Sequence, residues 1–526
     1  MAIDPVTETA SMSASCFLLL ATVIAMAYYY YNQKATQETW IQYGVKEPKL
    51  SLLFSLGEDF RYNFSHLLNQ YGDTVGLRNK SGLTLLTSNL NLMKHILVKD
   101  FNNFVERSDN LVSSSPFVKS LFFAKQKEWK RHRQIVSPTF SSGKLRHIAS
   151  TVNKSAQSLT DYLASCARLR KCVPIKEITA QYTGEIIAKT AFGLDANFIG
   201  QEEHEFLHHA KTMIPPLLGK ERLIFKLLDC IPYAIKICKK IFYNVQFFDP
   251  ISLPANAYFE TILNDAVRER KKQQQEGIKK RHEDFLDLLL KTNEAAKQGT
   301  VVEEEEAEDD DQADTKKAWQ GAVSALSDDE ILGHSMLIIF AGMETTATTL
   351  QLCLYQLAVN QEIQERVHQE IQEVVSSQDP SQEELSELHY VEQVINETLR
   401  LHPPAPLVNR RALETRTYDG VTIPKGAAVI LPYYHIMTDP KFDFLQNRKI
   451  KRDTMAFIAF GHGPRQCLGM RLAYLELKVA LVHILRKVKV ILNKSTVPTL
   501  GEKIKFTPQG LLIPVKPIML MFELRG

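Results

Sequence analysis

Cysteine is scarce in this 526-residue chain, and the few present follow no pairing pattern. The seven stand at positions 16, 166, 172, 230, 238, 353 and 467, with no Cys-x-x-Cys among them. An odd, scattered set speaks against a zinc site or a disulfide framework and suits a reducing compartment. An excess of one charge is missing too: 63 Lys and Arg meet 60 Asp and Glu, for a net of +3. A chain so close to neutral lacks the electrostatic footprint of a nucleic-acid binder, and no nucleic-acid partner is expected. Nor does any convincing Gly-x-Gly-x-x-Gly follow a strand and open a helix, the pattern a dinucleotide site requires.

What is present begins with a long apolar run. Ala14 to Tyr31 is interrupted by only two ordinary polar residues, Ser15 and Thr22, and is long enough for a short membrane-spanning helix. Tyrosines 28–31 would sit at the membrane interface. Ala25-Met26-Ala27 resembles a signal-peptide cleavage site, yet the preceding segment holds Asp4 and Glu8 and no Lys or Arg, the opposite of a signal sequence. An uncleaved anchor is therefore expected. Lys34, Lys46 and Lys49 follow it and place the remainder in the cytosol by the positive-inside rule. The expected organisation is a lumenal tail at 1–13, a transmembrane anchor at 14–31, a linker at 32–56 and one large domain at 57–526. A composition of 44% hydrophobic and 23% charged residues allows so large a core.

Within that domain, Val75–Leu77 and Leu83–Thr87 flank Asn79-Lys80-Ser81-Gly82 and predict a β-hairpin. Helical spacing marks Lys144–Cys166, Thr179–Phe192, Tyr258–Lys272 and Phe285–Lys291, so the fold class is mainly α with small β-sheets. The acidic run within 299–317 repels itself, cannot bury surface and is expected to be a mobile surface loop. After it, Ser327-Asp328-Asp329-Glu330 is a helix start, and the helix should reach about Val359. Gly342, Thr345 and Thr346 are poor residues for its middle. They suit either close packing through small residues or a local groove.

One stretch organises the rest: Phe460-Gly461-His462-Gly463-Pro464-Arg465-Gln466-Cys467-Leu468-Gly469. Its glycines allow sharp turns and close approach to a flat ligand. Cys467 would lie near a helix N-terminus, where the dipole favours a thiolate, with Arg465 two residues away. A lone cysteine is more often a small buried hydrophobe, but this one belongs to Phe-x-x-Gly-x-Arg-x-Cys-x-Gly.

The decapeptide resembles the haem-binding signature of the cytochrome P450 monooxygenases, with Cys467 as the proximal iron ligand. Such a thiolate pushes electron density onto iron and favours O–O cleavage. The resemblance runs from about Gly57 to the C-terminus. Ala341-Gly342-Met343-Glu344-Thr345-Thr346 is similar to the family's (Ala/Gly)-Gly-x-(Asp/Glu)-Thr-Thr, which implies that Glu344 and Thr345 deliver protons. Glu397-Thr398-Leu399-Arg400 resembles Glu-x-x-Arg, a structural pair that Arg448 would complete. Trp129-Lys130-Arg131-His132-Arg133 resembles Trp-x-x-x-Arg, and with it Trp129, Arg133, Arg107, Arg410, Phe460 and Arg465 are implied cofactor contacts.

The resemblance implies haem b (iron protoporphyrin IX), O2, and NADPH electrons arriving through NADPH-cytochrome P450 reductase, with cytochrome b5 as a further partner. It also implies a single-pass protein of the endoplasmic reticulum membrane that hydroxylates a lipophilic small molecule. Ser137–Leu145 and Leu511-Leu512-Ile513-Pro514 look like the animal family-3 clan. Phe117, Leu121, residues 207–245, Ile338–Ala341, Ala405–Val408 and Leu511–Leu512 would line the pocket. Lys125, Lys127, Lys130 and Arg131 would form a basic docking patch. Two alternatives stand beside this reading. One is a haem-thiolate isomerase of peroxides, against which Glu344-Thr345 speaks. The other is an inactive membrane scaffold, suggested by a 440–460 region shorter than the family's.

Overall fold

The computed structural model describes residues 39–48, 59–79, 82–108, 113–201, 204–214, 251–278, 283–298, 324–440, 453–493, 498, 502–507 and 510–526. The expected tail and anchor, the acidic run at 299–317, residues 215–245 of the pocket lining and Arg448 lie outside them. The longer helices are α1 (Gln126–Val136), α2 (Ser142–Arg168), α3 (Ile175–Phe192), α4 (Leu253–Gln275), α5 (Phe285–Lys297), α6 (Asp328–Val359), α7 (Gln361–Val374), α8 (His389–Leu401) and α9 (Met470–Lys487). All four helices expected from spacing are present and extend somewhat beyond their predicted ends.

Helix α6 is the axis of the molecule, and its start is written in its first turn. Ser327 Oγ accepts the Glu330 N–H at 3.3 Å while Glu330 returns a bond to the Ser327 N–H at 2.8 Å, a reciprocal capping box. Asp328, Asp329 and Glu330 oppose the positive end of the helix dipole. An 18-residue window of α6 has a mean hydropathy of 1.4, enough in composition for a membrane span. Here 67% of that window is buried inside the protein, so it is a core helix. It packs chiefly against α3 and also touches α8 and α9. At the α3 crossing, a Cβ on Gly342 would lie 2.7 Å from Ile187 Cδ1. Thr183 of α3 donates to the Met343 carbonyl at 3.0 Å. The glycine in mid-helix thus serves close packing of two helices.

The largest core cluster joins α2, α3, α6, α7, α8 and α9 to two strands near the C-terminus. The strands described are β1 (Thr74–Asn79), β2 (Gly82–Thr87), β3 (Val173–Pro174), β4 (Val408–Arg411), β5 (Arg416–Tyr418), β6 (Val421–Ile423), β7 (Ala428–Leu431), β8 (Val488–Ile491) and β9 (Met519–Leu524). One sheet has the order β1-β2-β7-β4, a second β3-β9-β8, and β5 pairs with β6 alone. The predicted hairpin is β1–β2, antiparallel, with Asn79 opposite Gly82. Strand β7 sets Arg410 of β4 against Val429 and so delivers an arginine to the interior.

The expected linker at 32–56 needs correction at Trp40. Residues Trp40–Tyr43 form a 3-10 turn, and the indole is fully buried in the cluster beneath the first sheet. Its Nε1–H donates to the Leu77 carbonyl at 2.9 Å, and Gly76 leaves room for the ring. A large aromatic next to a β-strand that has a glycine finds a burial site that no local pattern announces. Trp40→Ala should destabilise the folded body by about 3–5 kcal/mol, read as a lowered urea midpoint. An unchanged midpoint would show that the turn is not part of the core.

Candidate functional site

The loop before α9 is built by its own backbone. Cys467 N–H donates to the Phe460 carbonyl at 2.9 Å, Gln466 N–H to Gly463 at 2.8 Å and Gly461 N–H to Ile458 at 2.9 Å. Gly461 and Gly463 have φ of +76° and +75°, left-handed values that favour glycine. At Gly463 a side chain would also strike the Leu97 carbonyl. Phe460 packs on Tyr474 with ring centroids 5.2 Å apart, tying the loop to α9.

Cys467 ends this loop with an accessible thiol, although protein atoms crowd it from behind. Burial pushes its pKa up, against the opposing pull of the Gly469 N–H and of Arg133. The expectation that the helix terminus alone would favour a thiolate is therefore not met. Desolvation outweighs the dipole, and ionisation of this sulfur calls for a stronger cation such as a bound metal, which deprotonates a coordinating thiol outright.

Around the loop, four guanidinium groups converge. Arg465 donates to the Phe122 carbonyl at 3.3 Å and the Ala124 carbonyl at 2.5 Å, with its carbon 5.0 Å from the Trp129 ring centroid. Arg133 donates to the Gln466 carbonyl at 2.9 Å, inside the cysteine loop. Arg107 lies 3.9 Å over the Phe122 ring. Arg410 is 2% exposed and donates to the Asn409 carbonyl at 2.8 Å. Burial, then repulsion from Arg107, Arg410 and Arg133, holds the Arg465 pKa well below its usual range, while Glu106 acts weakly the other way. Burial likewise lowers Arg410. The Nε–H groups of Arg410 and Arg465 are buried without hydrogen-bond partners. Clustered, desolvated cations with unused donors fit an anionic ligand. Trp129 and Arg133 share one face of α1, and the Trp129 ring is buried edge-on to Phe101 at 5.0 Å.

On α6, Ala341 is exposed and Ile338, Gly342 and Thr345 are partly so, although most of the helix around them is buried. Those positions recur at helical spacing and form one accessible stripe. Leu337 of α6 and Leu468, next to Cys467, pack on the same small apolar cluster as Trp129. Thr345 Oγ1 donates back to the Ala341 carbonyl at 2.6 Å. Glu344 is buried and ion-paired to Lys176 of α3, whose Nζ also donates to Thr348 Oγ1 at 2.9 Å. Burial lowers the Lys176 pKa, and Glu344 partly restores it. The acid and the alcohol, adjacent in sequence, thus hold different partners. Lys176 was invisible to sequence reasoning, since nothing in Ile175-Lys176-Glu177 distinguishes it from a solvated lysine.

Behind the site, Arg400 clasps Glu397 through two 2.7 Å bonds and donates to the Met437 carbonyl at 2.8 Å. Arg131, expected in a basic patch, instead donates to Glu330 at 3.1 Å and to the Ala325 carbonyl at 2.9 Å. Lys125 and Lys127 are exposed, and Lys130 is half-buried.

The family model described as Cytochrome P450 matches residues 48–522. The chain belongs to the cytochrome P450 family. It is 30% identical to Cytochrome P450 3A11 of Mus musculus over 97% of both chains, and 29% identical to Cytochrome P450 3A41 of the same species over the same shares. Cytochrome P450 3A27 of Oncorhynchus mykiss is 25% identical over 97% of this chain and 93% of its own. This P450 is accordingly an oxidoreductase, a haem-thiolate monooxygenase that uses haem b and O2, receives electrons from a redox partner and acts on a small molecule. The cysteine loop and the gathered arginines fit that cofactor, a thiolate-bound iron with two carboxylate arms. Arg400→Ala should lower haem content in the purified protein more than it weakens substrate affinity. Normal haem loading, measured as haem per polypeptide, would contradict a supporting role for the Glu397–Arg400 pair.

Proposed function

We propose that this P450 hydroxylates a lipophilic substrate, a steroid, lipid or xenobiotic, with NADPH electrons supplied by NADPH-cytochrome P450 reductase and, as a second donor, cytochrome b5. The observation that carries the reading is the convergence of Arg107, Arg133, Arg410 and Arg465 around the loop that ends in Cys467. In this reading Cys467 Sγ ligates iron, the four arginines hold the propionates, and Trp129 and Phe460 wall the cofactor. When bound, the haem supplies oxygen activation at an iron made electron-rich by the thiolate. The apolar stripe on α6 holds the substrate and excludes water from it.

Thr345 and Glu344 move protons. Thr345 Oγ can turn from the Ala341 carbonyl to present its hydrogen to the stripe, a local exchange of one bond. Glu344 must leave Lys176 and take up a proton from solvent before it can resupply Thr345. Lys176 thus holds the acid against α3 until it is needed. Exposed Lys125 and Lys127 suit an acidic electron donor. The run at 14–31 places the protein in the endoplasmic reticulum membrane as a single-pass anchor, with the catalytic domain in the cytosol.

A reduced carbon-monoxide difference spectrum tests the core of this reading. The intact protein should show a thiolate-type Soret band, and Cys467→Ala should abolish both band and turnover. A Cys467→Ala protein with the band intact would remove the ligand assignment. Thr345→Ala should mainly uncouple: a proton-transfer group contributes on the order of 10²–10⁴-fold, so product per NADPH should fall sharply while peroxide rises. Unchanged coupling would count against the relay.

A further inference from the structure

We propose that His334 is a positioning residue for the wall over the site: it clamps segment 115–124 onto α6, and the clamp governs which lipophilic ligands fit. The ligand half of this rests on the haem-thiolate reading; the clamp does not.

The contact is a backbone N–H held by a buried ring. Leu121 N–H donates to His334 Nδ1 at 3.3 Å, with Leu121 8% and His334 1% exposed. A main-chain donor so far from water needs an acceptor, and this imidazole supplies it. One residue earlier, Gly333 makes the approach possible, because a Cβ there would strike the Pro116 carbonyl and crowd Ser120 N. Ser115 Oγ lies 3.9 Å from Met336 Sδ, and Lys119 pairs with Asp329 at the rim. Glycine, histidine and methionine at 333, 334 and 336 thus seat the segment.

The ring itself is fixed from behind by α1. His132 meets it edge-on with centroids 4.9 Å apart and lies 3.0 Å from Glu330 through its own Nε2. Arg131 secures Glu330 in turn. Burial pushes Glu330 up, but bonds from Arg131, the Ser327 N–H and His132 bring it down to about 2. Burial first, then His132, presses the His334 pKa down to about 3. The imidazole is therefore neutral at physiological pH and keeps an accepting Nδ1. Its Nε2 is buried with no partner, a cost that leucine would avoid at an apolar position. A histidine here is explained by what Nδ1 holds.

The other end of the segment belongs to the site. The Phe122 and Ala124 carbonyls accept from Arg465, and the Phe122 ring lies under Arg107. Phe117 packs edge-on to Phe123 at 5.4 Å and to Phe340 of α6 at 5.9 Å. Releasing Leu121 would loosen the aromatic wall and the carbonyls that orient Arg465.

Hydrogen–deuterium exchange on the full-length protein, with spectral titrations of imidazole and the bulky clotrimazole, tests the proposal. In His334→Leu, exchange at the Leu121 amide should rise roughly tenfold, as for loss of one net hydrogen bond, and the clotrimazole-to-imidazole affinity ratio should shift. His334→Gln, which keeps an accepting oxygen, should restore both. Exchange unchanged in His334→Leu, a ratio unchanged despite faster exchange, or failure of the glutamine to rescue would each overturn it. Should His334→Leu not fold, Gly333→Ala displaces the Pro116 carbonyl from the same face, and unchanged exchange and ratio there would overturn it equally. A wild-type protein with no thiolate-type Soret band sinks the haem reading alone, because the exchange arm needs no haem.

Discussion

Gathering like charges out of water is the constraint to which the site is built. Arg107, Arg410 and Arg133 repel Arg465, and the desolvation of Arg465 magnifies the repulsion by removing water that would screen it. Arg133, Arg410 and Arg465 donate to backbone carbonyls and Arg107 lies on an aromatic face, contacts that orient a guanidinium. Glu106 pulls Arg465 the other way, more weakly than the three arginines push. An anionic cofactor relieves this repulsion, so its binding and the stability of the surrounding fold are linked. On the proposed reading, the same binding would turn the Cys467 thiol, whose pKa burial raises, into a metal-bound thiolate.

Helix α6 carries the opposite side of the site because it can show two kinds of face. Toward α3 it is close-packed, with Gly342 against Ile187 and Met343 receiving Thr183. On another face it leaves Ile338, Ala341 and Thr345 accessible. Glu344 falls on the packed side, where Lys176 holds it. A carboxylate so buried calls for a counter-charge, and Lys176 supplies it. On the proposed reading, the ion pair holds in reserve the acid that serves Thr345, one residue away.

Local chemistry was legible in the sequence; distant pairing was not. The cysteine loop, the capped start of α6, the β1–β2 hairpin and the four spaced helices each depend on residues within a few positions of one another, and all could be read. Lys176, the Glu330–His132–His334 chain and the burial of Trp40 depend on partners far along the chain, and no short-range pattern encodes them. The thiolate expectation at Cys467 failed for a related reason. The helix dipole is a local quantity, whereas the desolvation that overrides it comes from the whole surrounding fold.

That distinction bears on what α6 transmits. His334 and Thr345 are eleven residues apart, about 16 Å along a helix, and the rod between them is pinned by the capping box at its start and by α3 in its middle. A side chain that fixes the wall at one end therefore shares a rigid frame with the alcohol at the other. Segment 115–124 closes the circuit, since it leaves α6 at Gly333–Met336 and reaches Arg465 beside Cys467. If segment 115–124 walls the site as proposed, then wall, helix and arginines would move as one unit, and a ligand that displaced the wall would disturb the arginines as well.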